Sequence, residues 1–313
     1  VSKFDHINKL KNNDNKVSSF LTIQEGCDKF CKFCVVPYTR GPEHSRPFSQ
    51  IVSEAKQLVD NGAKEIILLG QNVNAYHFEN EKLSDILFEL NKIQNLERIR
   101  YTTSHPKDVT DDLINAHGEL EKIMPLLHLP VQSGSNTVLR KMNRGHTINE
   151  YLKKIDKLKK VNPGIKFSSD FIIGYPSETE KDFMNTLDLM KKIEFINSYS
   201  FIFSPRPGTP AAKMTEVNKE VSKKRLTIFQ NIADEIKKNY RNKLKNSISK
   251  VLFENKANSE NRYFGRDEYF NSVIVESEEN LVGKIKKIKI KDCNNNTLFG
   301  EIIAKNKEKN YAA

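Results

Sequence analysis

The chain has 313 residues and a mass of 36.1 kDa, with 37% hydrophobic and 29% charged residues, so its composition is that of a foldable globular protein and excludes a disordered one. No apolar run approaches the roughly 20 residues that cross a membrane, and the N-terminus, VSKFDHINKLKNNDNK, lacks the apolar core of a signal peptide. The formal net charge of +11 indicates a polyanionic partner such as nucleic acid, or else reflects a lysine-rich proteome.

Strand and helix patterns alternate along most of the chain. The first 16 residues are polar, and we assign 1–12 to a linker remnant. The predicted strands are VSSFLTIQEG (17–26), KEIILLG (64–70), ERIRYTTS (97–104), MPLLHLPVQSG (124–134), IKFSSDFIIGYPSE (165–178) and INSYSFIFSPRPGTPA (196–211). The predicted helices between them cover 49–62, 83–93, 109–118, 148–161 and 180–193. Such alternation predicts an α/β fold with a parallel sheet, open or curled into a barrel, whose functional loops follow the strands.

A lysine-rich helix is predicted over 215–245, and the pattern changes after it. Short strands separated by Asn, Gly and Ser turns predict a small all-β barrel of about 60 residues. We therefore expect a core domain over 13–245 and a β module over 246–308. The module contains KIKKIKIK, in which Lys287, Lys289 and Lys291 fall on one face of a strand. Such a strip either contacts RNA phosphates or protects an edge strand from aggregation.

Three of the four cysteines lie in GCDKFCKFCVVPYTRG, as Cys27, Cys31 and Cys34 with the spacing C-x3-C-x2-C. So few cysteines do not form a disulfide framework, and we expect a cytoplasmic protein. A structural zinc site uses four ligands, usually as two pairs; His44 lies beyond a proline, and Cys293 lies in the β module. Ferredoxin-type clusters also use four cysteines, in a different run. Three thiolates leave one iron of a [4Fe–4S] cube without a protein ligand. A metal site that does chemistry keeps such an open coordination position, so we favour a catalytic cluster over zinc.

This motif, with an aromatic residue just before its last cysteine, resembles the radical S-adenosylmethionine (SAM) superfamily, and most closely its methylthiotransferases. The segments that carry the resemblance, within residues 4–305, are GCDKFCKFCVVPYTRGPEHSRP, LLGQNVNAY, RIRYTTSHP, HLPVQSGSNTVLRKMNRGHT, DFIIGYPSETE and FIFSPRPGTPAA. The resemblance implies a partial (β/α)6 radical SAM barrel followed by a TRAM-like RNA-binding β-barrel. It also implies that SAM chelates the open iron and that an electron through the cluster cleaves SAM to methionine and a 5′-deoxyadenosyl radical. An electron donor such as flavodoxin or ferredoxin is then expected.

The resemblance further implies which residues bind SAM. They are Phe33, Gly70, Gln71, Gln132, Ser133, Arg144, Asp170 and Gly174. Gly70 and Gln71 match the loop at the methionine amino group, and the segment beginning at Gln132 matches contacts to the ribose and the carboxylate. Arg144 is the candidate cation for that carboxylate, since a guanidinium has a planar donor fork. Asp170 and Gly174 match the adenine region. A turn requirement for each glycine and a strand-end role for Asp170 are the alternative interpretations, and the histidines stay unassigned.

Three substrates occur within the family: a tRNA adenosine with an isopentenyl group, a tRNA adenosine with a threonylcarbamoyl group, and an aspartate of a small-subunit ribosomal protein. CVVPYTRG and LLGQNVNAY resemble the enzymes of the first substrate. They imply conversion of N6-(dimethylallyl)adenosine at tRNA position 37 to its 2-methylthio derivative. The anticodon arm would be held by phosphate contacts from the 223–245 helix and from five lysines of the β module: Lys284, Lys286, Lys287, Lys289 and Lys291.

One departure from the family bears on the reaction. Its methylthiotransferases carry an N-terminal domain with three further cysteines that hold a second, sulfur-donating [4Fe–4S] cluster. The present sequence lacks that domain, so we expect either a fragment or a truncated product. A non-catalytic iron–sulfur protein that binds RNA is therefore the alternative to an enzyme.

Overall fold

A computed structural model describes residues 16–257 and 261–303, so the predicted linker remnant at 1–12 lies outside the described residues. The chain divides into two compact units after Lys237. The division falls within a long helix that ends at Leu244. The domain boundary predicted between residues 245 and 246 stays a prediction.

Six parallel strands form the framework of the first unit. They are β1 (Ser18–Thr22), β2 (Glu65–Leu69), β3 (Arg98–Tyr101), β4 (Leu126–His128), β5 (Lys166–Ile173) and β6 (Asn197–Ile202). They make two three-stranded sheets, in the orders β1–β2–β3 and β6–β5–β4. A parallel bridge between Ile99 of β3 and Ile123, just before β4, links the two sheets. The strands therefore neighbour one another in chain order, which confirms the predicted α/β class and its partial six-stranded barrel.

All six strands are shorter than their sequence patterns, and in three of them a proline or a glycine marks the end. β4 ends before Pro130, and β6 ends before Pro205 and Pro207, because proline has no N–H to donate to a neighbouring strand. β5 ends at Ile173, because the next residue, Gly174, has a φ of +68° that takes the backbone out of the extended region. The segments beyond these points form loops at the carboxyl ends of the strands, where the conspicuous motifs lie.

Helices connect the strands and bury one apolar face each. They are α1 (Phe48–Asp60), α2 (Leu83–Asn91), α3 (Asp111–Glu119), α4 (Ile148–Val161), α5 (Glu180–Ile193) and, after β6, α6 (Lys219–Leu244). The main hydrophobic core joins their buried residues to one face of the strands, for example Phe167 and Phe171 of β5. Because successive strand side chains alternate between faces, Ser168 and Asp170 point away from this core. Within the described residues, we find no helix with both the length and the apolar content that crossing a membrane requires.

The second unit contains a closed barrel of five strands. They are β7 (Ile248–Lys256), β8 (Arg262–Arg266), β9 (Ser272–Glu276), β10 (Ile285–Cys293) and β11 (Thr297–Ile302). The strand order is β7–β8–β9–β11–β10, with β10 pairing back onto β7. Alternate residues such as Val251, Phe253 and Ile288 fill the interior. This architecture confirms the predicted small all-β barrel.

The lysine-rich strand β10 is not an edge strand. It pairs with β7 on one side and with β11 on the other. The interpretation of its lysines as protection of an exposed edge is therefore wrong, because both rows of its backbone groups are occupied by neighbours. Lys287 and Lys289 lie on the exposed face, whereas Ile288 between them and Ile290 after them are buried.

Candidate active site

The three clustered cysteines lie in the loop that follows β1. The loop begins at Gly26, whose φ is +76° and where an added Cβ would lie 2.0 Å from the Pro42 carbonyl oxygen. The Cys27 N–H donates to the Gly41 carbonyl at 3.2 Å, and the Cys34 N–H donates to the Cys31 carbonyl at 2.9 Å. These contacts close the cysteine segment into a compact turn that glycine permits at its first residue.

A buried glutamine connects this loop to the loop after β2. The Gln24 amide donates to the Gly26 carbonyl at 2.7 Å, and its oxygen accepts the N–H groups of Gln71 and Asn72 at 3.0 Å each. In return, the Gln71 side-chain oxygen accepts the Gly26 N–H at 2.7 Å. The side chain of Gln24 has no exposed surface, so each of these bonds replaces a lost bond to water. The carboxyl ends of two adjacent strands are thereby held in one geometry.

Burial favours the protonated form of two of the loop thiols, those of Cys27 and Cys34. Desolvation raises the pKa of the Cys27 thiol to about 11, and desolvation likewise raises the pKa of the Cys34 thiol. Cys31 is the most buried of the three. Iron binds the thiolate form, so binding of a metal here releases protons.

The donor set fits a [4Fe–4S] cluster better than a single ion. Across the two described ranges, no three side chains of His, Cys, Asp or Glu converge as the ligands of one metal ion would, and a structural zinc would require four. Each cysteine of an iron–sulfur cube binds a different iron, so its ligand sulfurs do not converge on one point. Cys293 belongs to strand β10 of the second unit. Cys27, Cys31 and Cys34 as cluster ligands stay a prediction.

A turn after the short helix Asn136–Lys141 supports the cysteine loop. The Met142 carbonyl accepts the Lys32 N–H at 2.9 Å, and the Asn143 amide donates to the Phe30 carbonyl at 3.0 Å. Arg144 donates from Nη1 to the Cys31 sulfur at 3.5 Å and from Nη2 to the Pro130 carbonyl at 2.6 Å. The arginine predicted for the SAM carboxylate therefore lies against a predicted cluster ligand.

Three of the predicted SAM residues line one cavity. Phe33, Gln132 and Asp170 share it with apolar residues that include Ile172 and Phe201. Gln132 has a φ of +74°, which is uncommon outside glycine. Its backbone bonds to Asp170 and Ile172 of β5 fix that conformation. Strain held in this way is typical of functional positions, and the cavity combines apolar residues with polar groups such as Asp170 and Arg206, which a nucleoside could contact.

The remaining predicted SAM residues lie elsewhere. Gly70 and Gln71 lie beside Gly26, and an added Cβ at Gly70 would lie 2.7 Å from the Gln24 side-chain oxygen. The Ser133 hydroxyl is buried against Thr186 of α5 at 3.4 Å. Gly174 donates its N–H to the Glu178 carboxylate at 3.1 Å. Their SAM contacts stay predictions, although packing accounts for Ser133 and Gly174 as placed.

Comparison with known proteins identifies the family. The Radical SAM superfamily matches residues 21–190, and the TRAM domain matches residues 243–303. The chain is 59% identical to the tRNA-2-methylthio-N(6)-dimethylallyladenosine synthase of Pelagibacter ubique, over 99% of this chain and 70% of the relative. It is 46% identical to the synthase of the same name from Zymomonas mobilis, over 96% of this chain and 68% of the relative. The chain belongs to this family of radical SAM proteins.

A solved structure with the same fold is a radical S-adenosylmethionine methyltransferase, TsrM, from Kitasatospora setae, with cobalamin and a [4Fe–4S] cluster bound. The similarity has a TM-score of 0.53 at 15% identity and covers 63% of this chain and 39% of that one. At this identity the similarity supports the radical SAM fold of the first unit and nothing about its substrate.

Sequence reasoning missed a polar network at the mouth of the barrel. Lys29 of the cysteine loop contacts Asp108 at 2.8 Å, and the Asn72 amide donates to both Asp108 and Glu43, at 2.9 and 3.1 Å. These residues come from the loops after β1, β2 and β3. Their only sequence signal was their position, since polar residues that follow adjacent parallel strands meet at one edge of the sheet.

The lysines predicted to contact RNA differ in their surroundings. Lys284 and Lys286 both contact Glu279, at 2.5 and 3.3 Å, and Lys291 contacts Glu301 at 2.7 Å. Lys287 and Lys289 are exposed, and the described part of the chain offers neither of them an ion pair. Lys287 lies opposite Lys250 of β7 in the strand register. The RNA contacts stay a prediction. Of the five lysines, Lys287 and Lys289 are the ones most available for a phosphate, because they have no ion pair among the described residues.

Proposed function

We propose that this protein is a radical SAM tRNA methylthiotransferase that converts N6-(dimethylallyl)adenosine at tRNA position 37 to its 2-methylthio derivative. The observation that carries the proposal is the 59% identity, over 99% of the chain, to a protein named for that reaction. Other similar relatives, such as that of Wolbachia pipientis at 48% identity, have the same name. This agreement favours the dimethylallyl substrate over the threonylcarbamoyl adenosine and the ribosomal aspartate.

The site supports this proposal residue by residue. Cys27, Cys31 and Cys34 would hold the [4Fe–4S] cluster, and the cavity lined by Phe33 and Asp170 would hold part of SAM. When bound, the cluster and SAM supply radical chemistry. The chain's own contribution is to fix the thiolates in one loop, to orient the nucleoside at the mouth of the barrel and to exclude water with apolar walls.

The second unit would supply the RNA contacts. Exposed lysines on β10 would neutralise phosphates without recognising the base sequence. Such contacts are appropriate for binding the backbone of the anticodon arm. The modified adenine would leave its stack to reach the barrel mouth, as bases do in other enzymes that act on them. A small redox protein such as flavodoxin or ferredoxin is the proposed electron donor.

Two measurements test the proposal. Anaerobic reconstitution with iron, sulfide, dithionite and SAM should yield 5′-deoxyadenosine, and a chain that binds the cluster but yields none would be the non-catalytic alternative. Deleting the gene should then remove the 2-methylthio derivative from the adenosines of digested tRNA, as measured by mass spectrometry, and leave N6-(dimethylallyl)adenosine in its place. Loss of the methylthio derivative of threonylcarbamoyladenosine instead would refute the substrate assignment.

A further inference from the structure

Arg144 is a buried cation whose nearest acceptors are a backbone carbonyl and a cysteine sulfur. Only 6% of the residue is exposed. Its Nη2 donates to the Pro130 carbonyl at 2.6 Å and its Nη1 to the Cys31 sulfur at 3.5 Å. Within residues 16–257 and 261–303, no carboxylate forms an ion pair with it. A guanidinium taken out of water without a counter-charge is costly, and a thiolate at Cys31 would supply that charge.

The surrounding turn fixes the guanidinium in place. Asn143 and Gly145, on either side of Arg144, both have positive φ, +58° and +64°. The Arg144 N–H donates to the Leu139 carbonyl at 3.0 Å, and the preceding residue, Asn143, is bonded to the cysteine loop itself. The backbone of the arginine and the loop are therefore parts of one hydrogen-bonded assembly, and the bond from Nη2 to the Pro130 carbonyl restrains the side chain itself.

The guanidinium also has a donor that is enclosed by the protein. Arg144 Nε is fully buried and has no hydrogen-bond partner within the described ranges. Bidentate binding of a carboxylate uses two parallel N–H groups. With Nε enclosed, the side-on fork of Nε and Nη2 is closed to a ligand, and Nη1 and Nη2, which keep one further N–H each, are held by the Cys31 sulfur and the Pro130 carbonyl.

We propose that Arg144 is a positioning residue of the cluster, which donates to the Cys31 thiolate and raises the reduction potential of the cluster. This rests on the proposed function only in assuming that Cys31 ligates a [4Fe–4S] cluster. Hydrogen bonds to the sulfurs are one of the main determinants of cluster potential. A positive donor at a ligand sulfur stabilises the more negative, reduced cluster, and residues behind metal ligands commonly tune a site in this way.

The test is a potentiometric titration of the reconstituted chain without SAM. Electron paramagnetic resonance measures the fraction of reduced cluster at each potential. Arg144→Gln should keep the iron content. At a given potential, its ratio of reduced to oxidised cluster should be about tenfold lower than in the wild-type chain, which corresponds to a midpoint potential about 59 mV lower for one electron. Arg144→Lys, which keeps the charge, should shift it less. Lys32→Gln removes an exposed charge next to Cys31 without touching its sulfur and should shift it less than either.

The opposite pattern would overturn the inference. If Arg144→Gln and Arg144→Lys keep the wild-type potential, Arg144 does not act on Cys31, and weakened SAM binding in the same variants would make it a carboxylate contact. Failure of the proposed function looks different, because the wild-type chain itself would then bind no cluster or yield no 5′-deoxyadenosine. Thermal unfolding of each variant shows whether it has folded, and Arg144→Lys remains informative if Arg144→Gln does not fold.

Discussion

Single cysteines decide whether the loop after β1 holds iron. Replacing Cys27, Cys31 or Cys34 with alanine should each remove the cluster and SAM cleavage, because two thiolates leave a second iron of the cube without a protein ligand. Iron and sulfide content and the visible absorbance of the reconstituted variants measure this. Cys293→Ala, in β10 of the second unit, is the matched control. Loss of the cluster in that control would contradict the assignment.

His117 makes the first unit sensitive to acid. It is fully enclosed under β3, its Nε2 lies 2.7 Å from the Tyr101 hydroxyl, and desolvation lowers the pKa of His117 from 6.5 to about 4. The unfolded chain therefore takes up a proton near pH 6.5 that the folded chain does not take up until about pH 4. The contribution of neutral His117 to the free energy of unfolding is fully present above pH 6.5 and is lost as the pH falls toward 4. The loss is about 1.4 kcal/mol per pH unit and about 3 kcal/mol in total.

The variant His117→Gln tests this linkage. Its amide still reaches the Tyr101 hydroxyl but does not titrate, so the free energy of unfolding should fall less steeply between pH 6.5 and 4.5, by one proton equivalent. Urea unfolding at several pH values gives the slope. His77→Asn, at an exposed position, should keep the wild-type slope. An unchanged slope in His117→Gln would mean that His117 is protonated in the folded chain.

At the scale of elements, Gln24 ties the end of β1 to the loop after β2. Gln24→Leu keeps the shape of the side chain but leaves two N–H groups and a carbonyl without partners. We expect a loss of about 2–4 kcal/mol in the free energy of unfolding, since an unsatisfied buried group costs about 1–3 kcal/mol. Urea denaturation measures it, and Gln50→Leu on the exposed side of α1 is the control. A loss equal to that of the control would show that the bridge does not stabilise the loops.

The elements themselves could be predicted because their signals are local. Apolar runs such as Ile66–Leu69 mark buried strands, and buried residues at helical spacing mark α1. The three loop cysteines likewise lie within one short segment, so their spacing can be recognised from the sequence. The bonds that shape the site do not, because Gln24 and Gln71 are 47 residues apart and Arg144 and Cys31 are 113 apart. No periodicity indicates such pairs, so the contact of Arg144 with the Cys31 sulfur could be found only from the fold.

The whole molecule divides its proposed tasks between two units. The three loop cysteines and the cavity belong to the unit before residue 238, and the exposed lysines belong to the closed barrel after it. Changes on the barrel surface should therefore alter RNA affinity and leave the SAM chemistry intact. The barrel interior is filled by its own apolar residues, so lysines on its outer face can be neutralised without removing core contacts.

Lys287 and Lys289 should bind tRNA more strongly than Lys284 and Lys286. The first two lack ion pairs among the described residues, whereas the second two share Glu279. A lysine paired with a carboxylate has to leave that partner to neutralise a phosphate, so it should cause less release of counterions from the RNA. Lys287→Gln with Lys289→Gln should weaken tRNA binding and reduce its salt slope by up to about 1.4–1.8, at 0.7–0.9 per contact. Lys284→Gln with Lys286→Gln removes the same formal charge and should reduce the slope less.

Filter binding of tRNA over a range of salt concentrations gives both slopes, and 5′-deoxyadenosine release from SAM without RNA serves as the internal reference. That release should be unchanged in both double variants, because neither pair lies in the unit that holds the cysteines. Equal slopes in the two variants would show that pairing with Glu279 does not matter and that all the lysines of β10 contribute alike. A wild-type slope in both would remove β10 from the RNA interface and leave the basic helix α6 as the remaining phosphate contact.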